Sequence, residues 1–160
     1  MYKRQALRAA ELFASGLAPG ELRREDLALA ATLGGYAVGT TGLFLHHALC
    51  QTIVRTAGTP HALTNAVVLP HSLRFMAGRA PGELRKLAVA LGSEGVEPEE
   101  AGDAVAPLAA RSGATRLGEL GLDAGAVPAI VENALAHPGI AAMDPPPTAA
   151  ELRELLSTAL

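Results

Sequence analysis

Residues 42–81 decide the fold class, because the stretch GLFLHHALCQTIVRTAGTPHALTNAVVLPHSLRFMAGRAP encodes a helix, a turn and a second helix in succession. Thr59 is a suitable N-cap and Pro60 a suitable first residue, so a new helix is predicted to start here. We expect it to reach about Met76. Pro70 lies inside it and is expected to kink or divide it, since proline displaces a backbone hydrogen bond.

Helical signals continue on both sides of this stretch, and no strand pattern interrupts them. Thr148 follows a triple proline and is predicted to cap a last helix, with Glu151 as its capping-box partner. At 160 residues the chain is long enough for one domain with a real core. The sequence therefore predicts an all-α domain, with further helices over 5–17, 21–57 (one long helix or two), 81–91, 97–111 and 122–136.

Composition excludes several classes of protein. Hydrophobic residues make up 49% of the chain and charged residues 18%, which indicates a packed domain rather than a disordered one. A net charge of -3 gives no electrostatic basis for binding nucleic acid. Cys50 is the single cysteine, so an internal disulfide is excluded and a reducing, cytoplasmic compartment is favoured.

A charge-free run from Leu27 to Val54 is long enough to span a membrane. No Lys/Arg cluster or aromatic belt flanks it, which favours a fully buried helix in a soluble protein and no membrane contact. A membrane helix is the alternative, and it would require detergent. We expect the small residues of this run to let a neighbouring helix approach closely; they include Gly34, Gly35, Gly39 and Gly42.

The first five residues, MYKRQ, differ in style from the rest of the chain, which has eleven arginines but only two lysines. They resemble the translation of a transposon-end sequencing adapter, although an ordinary solvated N-terminal turn is the alternative. We therefore expect residues 1–5 to be a non-native start. Residues 6–160 are then a single helical metal- and substrate-binding domain that forms the tail of a longer protein.

Four of the five histidines fall between positions 46 and 71. His47 and Gln51 are four residues apart and share a helix face. His61 lies in the first turn of the next helix, where the helix dipole disfavours the imidazolium and leaves a ring nitrogen free to bind a metal. The alternative is that each imidazole fills a polar hole in the core. The residues alone leave both interpretations open.

His47 and His61 can bind one metal ion only if the chain between them brings the two side chains close together. Ten residues of unbroken helix after His47 would carry the chain about 15 Å away. The metal interpretation therefore predicts that the first helix ends early, between Ile53 and Arg55.

The run of His-His-x-x-Cys, Gly-x-Pro-His and Asn-Ala-Val-x-Leu-Pro-His within residues 42–81 resembles the signature region of the iron-containing alcohol dehydrogenase family, in its maleylacetate reductase-like branch. The resemblance implies the C-terminal all-helical domain of that family, a dehydroquinate synthase-like multi-helix bundle, without its α/β nucleotide-binding partner domain. It also implies an NAD(P)-dependent oxidoreductase that interconverts an alcohol and a carbonyl, or reduces maleylacetate, by metal-assisted hydride transfer. The chain alone is expected to be inactive.

The resemblance assigns His47 and His61 as two ligands of Fe²⁺ or Zn²⁺. The other two ligands of the family, an Asp-x-x-x-His pair, have no counterpart in this chain, so only a partial metal site is expected. Gln51 stands where family members often carry a histidine; it can face the substrate and hydrogen-bond its oxygen but cannot titrate. Asn65 is a weaker candidate for positioning His61 or the substrate. Structural roles are expected for His46, Cys50, His71 and His137.

The partners implied are a small alcohol, carbonyl or maleylacetate-like substrate, the absent nucleotide-binding domain and, as one form of assembly, a homodimer. A different class of function also fits the sequence. The chain could serve as a free-standing helical binding or assembly module without catalysis.

Overall fold

The computed structural model describes residues 2–20, 22–94 and 97–160. Within these ranges the chain forms helices and no strand, which confirms the all-α prediction. Two 3-10 turns lie at Leu117–Leu120 and Ala124–Ala126. The α-helices are α1 (Tyr2–Gly16), α2 (Arg24–Thr41), α3 (Leu45–Ala57), α4 (His61–Ala77), α5 (Pro81–Ala90), α6 (Glu100–Ala110), α7 (Val127–Leu135), α8 (Pro138–Ala141) and α9 (Ala149–Ala159).

The main core is built around α3 and α4. Both helices pack against each other, α3 also packs against α7 and α8, and α4 packs against α9. Removing these apolar side chains from water is the dominant stabilising term in folding. The largest fully buried aliphatic side chains of this core are Leu49, Ile53, Val68, Leu117, Ile130, Ile140, Leu152 and Leu156.

On its other side α4 packs against α5 and α6, where a smaller apolar cluster comprises Leu84, Ala88 and Ala101. Helices α1 and α2 form an antiparallel pair, and α1 joins this pair to α5. The domain thus has two halves. One contains α7 to α9 and is densely packed, whereas in the other α2 packs mainly against α1.

Helix α2 differs from the buried helix that the sequence predicts. The expected helix over 21–57 is divided into α2 and α3, which are bent by 94° at the break. Only Ala30 and Ala37 of α2 are buried. A Cβ added at Gly34, Gly35 or Gly39 would meet nothing within 4 Å, so no neighbouring helix uses these glycines. The expectation of burial and close approach is wrong for α2, because α1 covers only one of its faces.

Within the described ranges, no single helix combines the length and hydropathy needed to cross a membrane. Helices α2 and α3, which are bent relative to each other, reach the length and hydropathy of a membrane span only when they are counted together.

Several helix boundaries also differ from the predicted ones. Pro60 rather than Thr59 is the N-cap of α4, and the Thr59 hydroxyl contacts Thr64 instead of capping the helix. Helix α4 continues through Pro70, so the predicted division is absent. Helix α6 begins at Glu100 rather than at 97. The segment predicted as one helix over 122–136 is a 3-10 turn followed by α7.

The capping box at the start of α9 is confirmed. The Thr148 side chain accepts a hydrogen bond from the Glu151 backbone, and Glu151 accepts from the Thr148 backbone at 2.7 Å. Arg79 adds an ion pair to Glu151 at 2.7 Å and lies 4.7 Å from the centre of the Phe75 ring. These contacts, led by the Thr148 backbone N–H, lower the pKa of Glu151 to about 2. The box therefore ties α9 to the end of α4.

We predict that Thr148→Ala lowers the free energy of unfolding at neutral pH by about 1 kcal/mol, because it removes the N-cap acceptor. Since the Glu151 pKa is depressed in the folded state, its contribution is present above its ordinary pKa of 4.5 and is lost as the pH falls toward about 2. The difference from wild type should shrink over that range. Urea denaturation followed by circular dichroism at several pH values measures both effects.

Thr32→Ala is the matched control, because the Thr32 hydroxyl only bonds back to the Ala28 carbonyl on the exposed side of α2. An equal loss of stability in the two variants would show that the capping box contributes nothing specific.

Candidate metal and substrate site

The candidate site is organised by the three-residue link between α3 and α4. Gly58 has a left-handed φ of 69° and its N–H donates to the Val54 carbonyl, so α3 ends there. Glycine is suited to this conformation because it has no Cβ. The Thr64 hydroxyl lies 2.8 Å from both the Thr59 hydroxyl and the Pro60 carbonyl. These contacts fix the conformation of the link, and His61 follows it as the first residue of α4.

His61 acts electrostatically on His47 across this link. The pKa of His47 is lowered, first by burial and then by the nearby imidazole of His61. A lowered pKa keeps the His47 ring neutral, with a nitrogen lone pair available to a metal ion. The two residues that the family resemblance assigns as ligands are therefore near enough for one imidazole to influence the other.

The predicted early end of α3 is wrong. The helix continues to Ala57, yet His47 and His61 still interact. The link of Gly58, Thr59 and Pro60 thus leads into α4 only after the full length of α3.

Gln51 lies one turn after His47 on α3 and is half-buried. Its Oε1 is 3.4 Å from Nε2 of His137, which is the N-cap of α8. The other ring nitrogen of His137, Nδ1, accepts a hydrogen bond from the Gly139 N–H at 3.1 Å. His137 was expected to have only a helix-end role; it has that role as the N-cap of α8, and it also lies beside a candidate site residue. Its only local signal is the His-Pro-Gly turn, which does not indicate what the ring contacts.

Asn65 connects two histidines on α3 and α4. Its Nδ2 donates to the His61 carbonyl at 2.8 Å. Its side chain also opposes the lowering of the His46 pKa. It therefore supports the first turn of α4 through the backbone of His61 rather than through the imidazole.

His46 turns from the His47 side of α3 toward the interior. Its Nδ1 lies 3.3 Å from the Ser72 hydroxyl and 3.9 Å from the Cys50 sulfur. The two adjacent rings remain in edge contact, with centroids 5.2 Å apart. Burial, followed by the effect of His47, lowers the pKa of His46 to about 4. Burial likewise raises the pKa of the Cys50 thiol to about 12, so Cys50 serves as a buried apolar side chain.

A cavity of about 730 Å³ opens between the α1–α2 pair and helices α4, α5 and α6. Its wall is mostly apolar, and His46 and Asn65 contribute polar atoms to it. Gly34 and Gly35 of α2 line the same cavity. The space beneath α2 is therefore continuous with the inner side of the histidine cluster.

His71 contacts a different part of the fold from His47 and His61. Its Nδ1 is 3.0 Å from the Thr158 hydroxyl, so it joins α4 to α9. This agrees with the structural role expected for it.

The donor atoms present fit part of a metal site. Among residues 2–20, 22–94 and 97–160, no group of three or more histidine, cysteine, aspartate or glutamate side chains could hold a metal ion. His47 and His61 supply two imidazoles, which are donors that iron and zinc accept. The described residues also contain no strand leading into a glycine-rich helix start.

The profile of the Fe-containing alcohol dehydrogenase family, C-terminal part, matches residues 16–160. Maleylacetate reductase 1 of Rhodococcus opacus is 37% identical over 123 residues, which cover 73% of this chain and 33% of the relative. A maleylacetate reductase of a Rhizobium species is 35% identical over 116 residues, or 72% of this chain and 31% of the relative. The chain thus spans about one third of the length of these curated relatives.

Solved structures of the same family are also similar to this chain. The crystal structure of the Rhizobium maleylacetate reductase superposes with a TM-score of 0.83 and 29% identity, over 99% of this chain and 45% of that one. An iron-containing alcohol dehydrogenase of Corynebacterium glutamicum gives a TM-score of 0.84 and 30% identity, over 98% of this chain and 44% of that one.

Proposed function

Since the chain belongs to the iron-containing alcohol dehydrogenase family, we propose that it is the helical metal- and substrate-binding part of an oxidoreductase. The reaction proposed is the NAD(P)-dependent interconversion of an alcohol and a carbonyl, or the reduction of maleylacetate. The observation that supports it is the lowering of the His47 pKa by His61 across the α3–α4 link, with Gln51 one turn away on α3.

His47 and His61 would hold Fe²⁺ or Zn²⁺ through their imidazole nitrogens, with further ligands supplied from outside the described residues. Such an ion, when bound, supplies Lewis acidity toward a carbonyl or alkoxide oxygen. The side chain of Gln51 would orient that oxygen by a hydrogen bond, and it adds no titratable group. Asn65 would hold the first turn of α4 in place through its bond to the His61 carbonyl, at 2.8 Å.

The nicotinamide cofactor would be bound by a nucleotide-binding domain outside this chain, in a cytoplasmic enzyme. For that reason we expect the 160-residue chain alone to be inactive. Measurable NAD(P)H turnover by the purified chain would contradict this expectation.

The exposed face of α2 is proposed to pack against that missing part of the protein. Leu29 and Tyr36 are 48% and 55% exposed, and Phe44 in the following break is 49% exposed. Large apolar side chains left exposed in this way are typical of an interaction site. The cavity of about 730 Å³ lies on the inner side of the same helix. Solved relatives are more than twice as long as this chain, which covers 45% of the Rhizobium structure, so they contain a segment that could cover α2.

We predict that His47→Ala and His61→Ala, made in the complete protein, each lower metal affinity by at least about tenfold, because each removes a donor atom. Metal content after dialysis, measured by mass spectrometry, tests the prediction. His71→Ala is the control, since this imidazole contacts Thr158 instead. Unchanged metal content in His61→Ala would remove His61 as a ligand and with it the main support for the proposed function.

We also predict that the double variant Leu29→Lys/Tyr36→Lys changes the free energy of unfolding of this chain alone by no more than about 0.5 kcal/mol, because both side chains are exposed. In the complete protein the same pair should clearly lower the melting temperature, since it would bury two charges.

Val89→Lys is the control for this experiment, because Val89 is an exposed apolar residue on α5, at 61% exposure. If the complete protein tolerates the α2 pair as well as it tolerates Val89→Lys, the α2 face is not covered. Self-association of this chain abolished by the α2 pair would assign the face to a second copy instead.

A further inference from the structure

We infer that His137 is a positioning residue that fixes the orientation of the Gln51 amide, so that Gln51 presents its NH₂ group to the substrate oxygen. The inference rests on the proposed function for the identity of that oxygen. The orientation itself rests on the contacts of His137, Gln51 and Gly139 alone.

The tautomer of His137 is determined by its own helix. Gly139 donates its backbone N–H to Nδ1 of His137 at 3.1 Å. A nitrogen that accepts a hydrogen bond is unprotonated, so the proton of the neutral ring lies on Nε2. His137 is thus a donor at Nε2, the atom that faces α3.

The Gln51 amide must then turn its oxygen toward His137. The Oε1 atom of Gln51 lies 3.4 Å from Nε2 of His137, at the long end of the hydrogen-bond range. Only the oxygen of an amide can accept from an N–H, because the NH₂ group is a donor. With Oε1 engaged, the NH₂ group points away from His137. An amide without such a partner could present either end.

The turn that carries His137 has little freedom to move away from α3. A Cβ at Gly139 would overlap the carbonyl oxygen of Leu43, so α8 lies directly against the break between α2 and α3. Ile140, the next residue, is fully buried in the main core. Helix α8 is therefore anchored on both sides, and the imidazole of His137 is held beside Gln51.

A fixed NH₂ donor suits a reaction in which negative charge develops on a carbonyl or alkoxide oxygen. A donor already oriented toward that oxygen stabilises the transition state more than the ground state, because it needs no reorganisation. His137 contributes through Gln51 and does not contact the substrate. The effect of losing it should therefore appear mainly in kcat.

The decisive variant is His137→Asn in the complete protein. Asparagine is a good N-cap, so it preserves the start of α8, but it lacks the Nε2 donor that reaches Gln51. We expect an unchanged melting temperature and a kcat about tenfold lower, as the loss of one oriented hydrogen bond predicts. Gln51→Leu should lose a similar amount, and the double variant should lose no more than either single variant. Unchanged kcat in His137→Asn, or additive losses, would overturn the inference.

A second measurement separates this inference from the proposed function. Long-range ¹⁵N–¹H NMR of the 160-residue chain reports the protonation of each His137 ring nitrogen without any substrate. Protonated Nε2 with bare Nδ1 supports the inferred orientation, and protonated Nδ1 overturns it. A complete wild-type protein that is inactive on alcohols, carbonyls and maleylacetate would instead contradict the proposed function, and the NMR result would then decide the orientation by itself.

Discussion

The closed link between α3 and α4 is the constraint on which the candidate site depends. Gly58 reverses the chain, and the Thr64 hydroxyl holds the link through Thr59 and Pro60, at 2.8 Å from each partner. His61 consequently begins α4 within electrostatic range of His47. The buried core beneath the two helices supports this arrangement.

The two halves of the domain serve this site differently. The packed half, which contains α7 to α9, brings His137 to Gln51 and anchors α8 against the break before α3. The α1–α2 half leaves apolar surface exposed and a large cavity beneath it. One half therefore orients the side chains of the site, and the other provides the surface proposed to receive the remainder of the enzyme.

The parts of the structure that depend on local signals could be predicted from the sequence. The Thr148–Glu151 capping box and the helix start near Pro60 follow from short-range backbone chemistry, and the residue motifs identify the family. The contact of Gln51 with His137 could not be predicted, because the two are 86 residues apart and meet only through core packing. The environment of α2 was mispredicted, since a lack of charge indicates an apolar surface but does not identify what covers it.

The most direct test of the account is a crystal structure of the complete protein grown with Zn²⁺ and recorded at the zinc absorption edge. We predict an anomalous peak between α3 and α4, with ring nitrogens of His47 and His61 both about 2.0–2.1 Å from the metal. A bound zinc ion that contacts neither imidazole, or only one of them, would contradict the claim that the α3–α4 link builds a metal site.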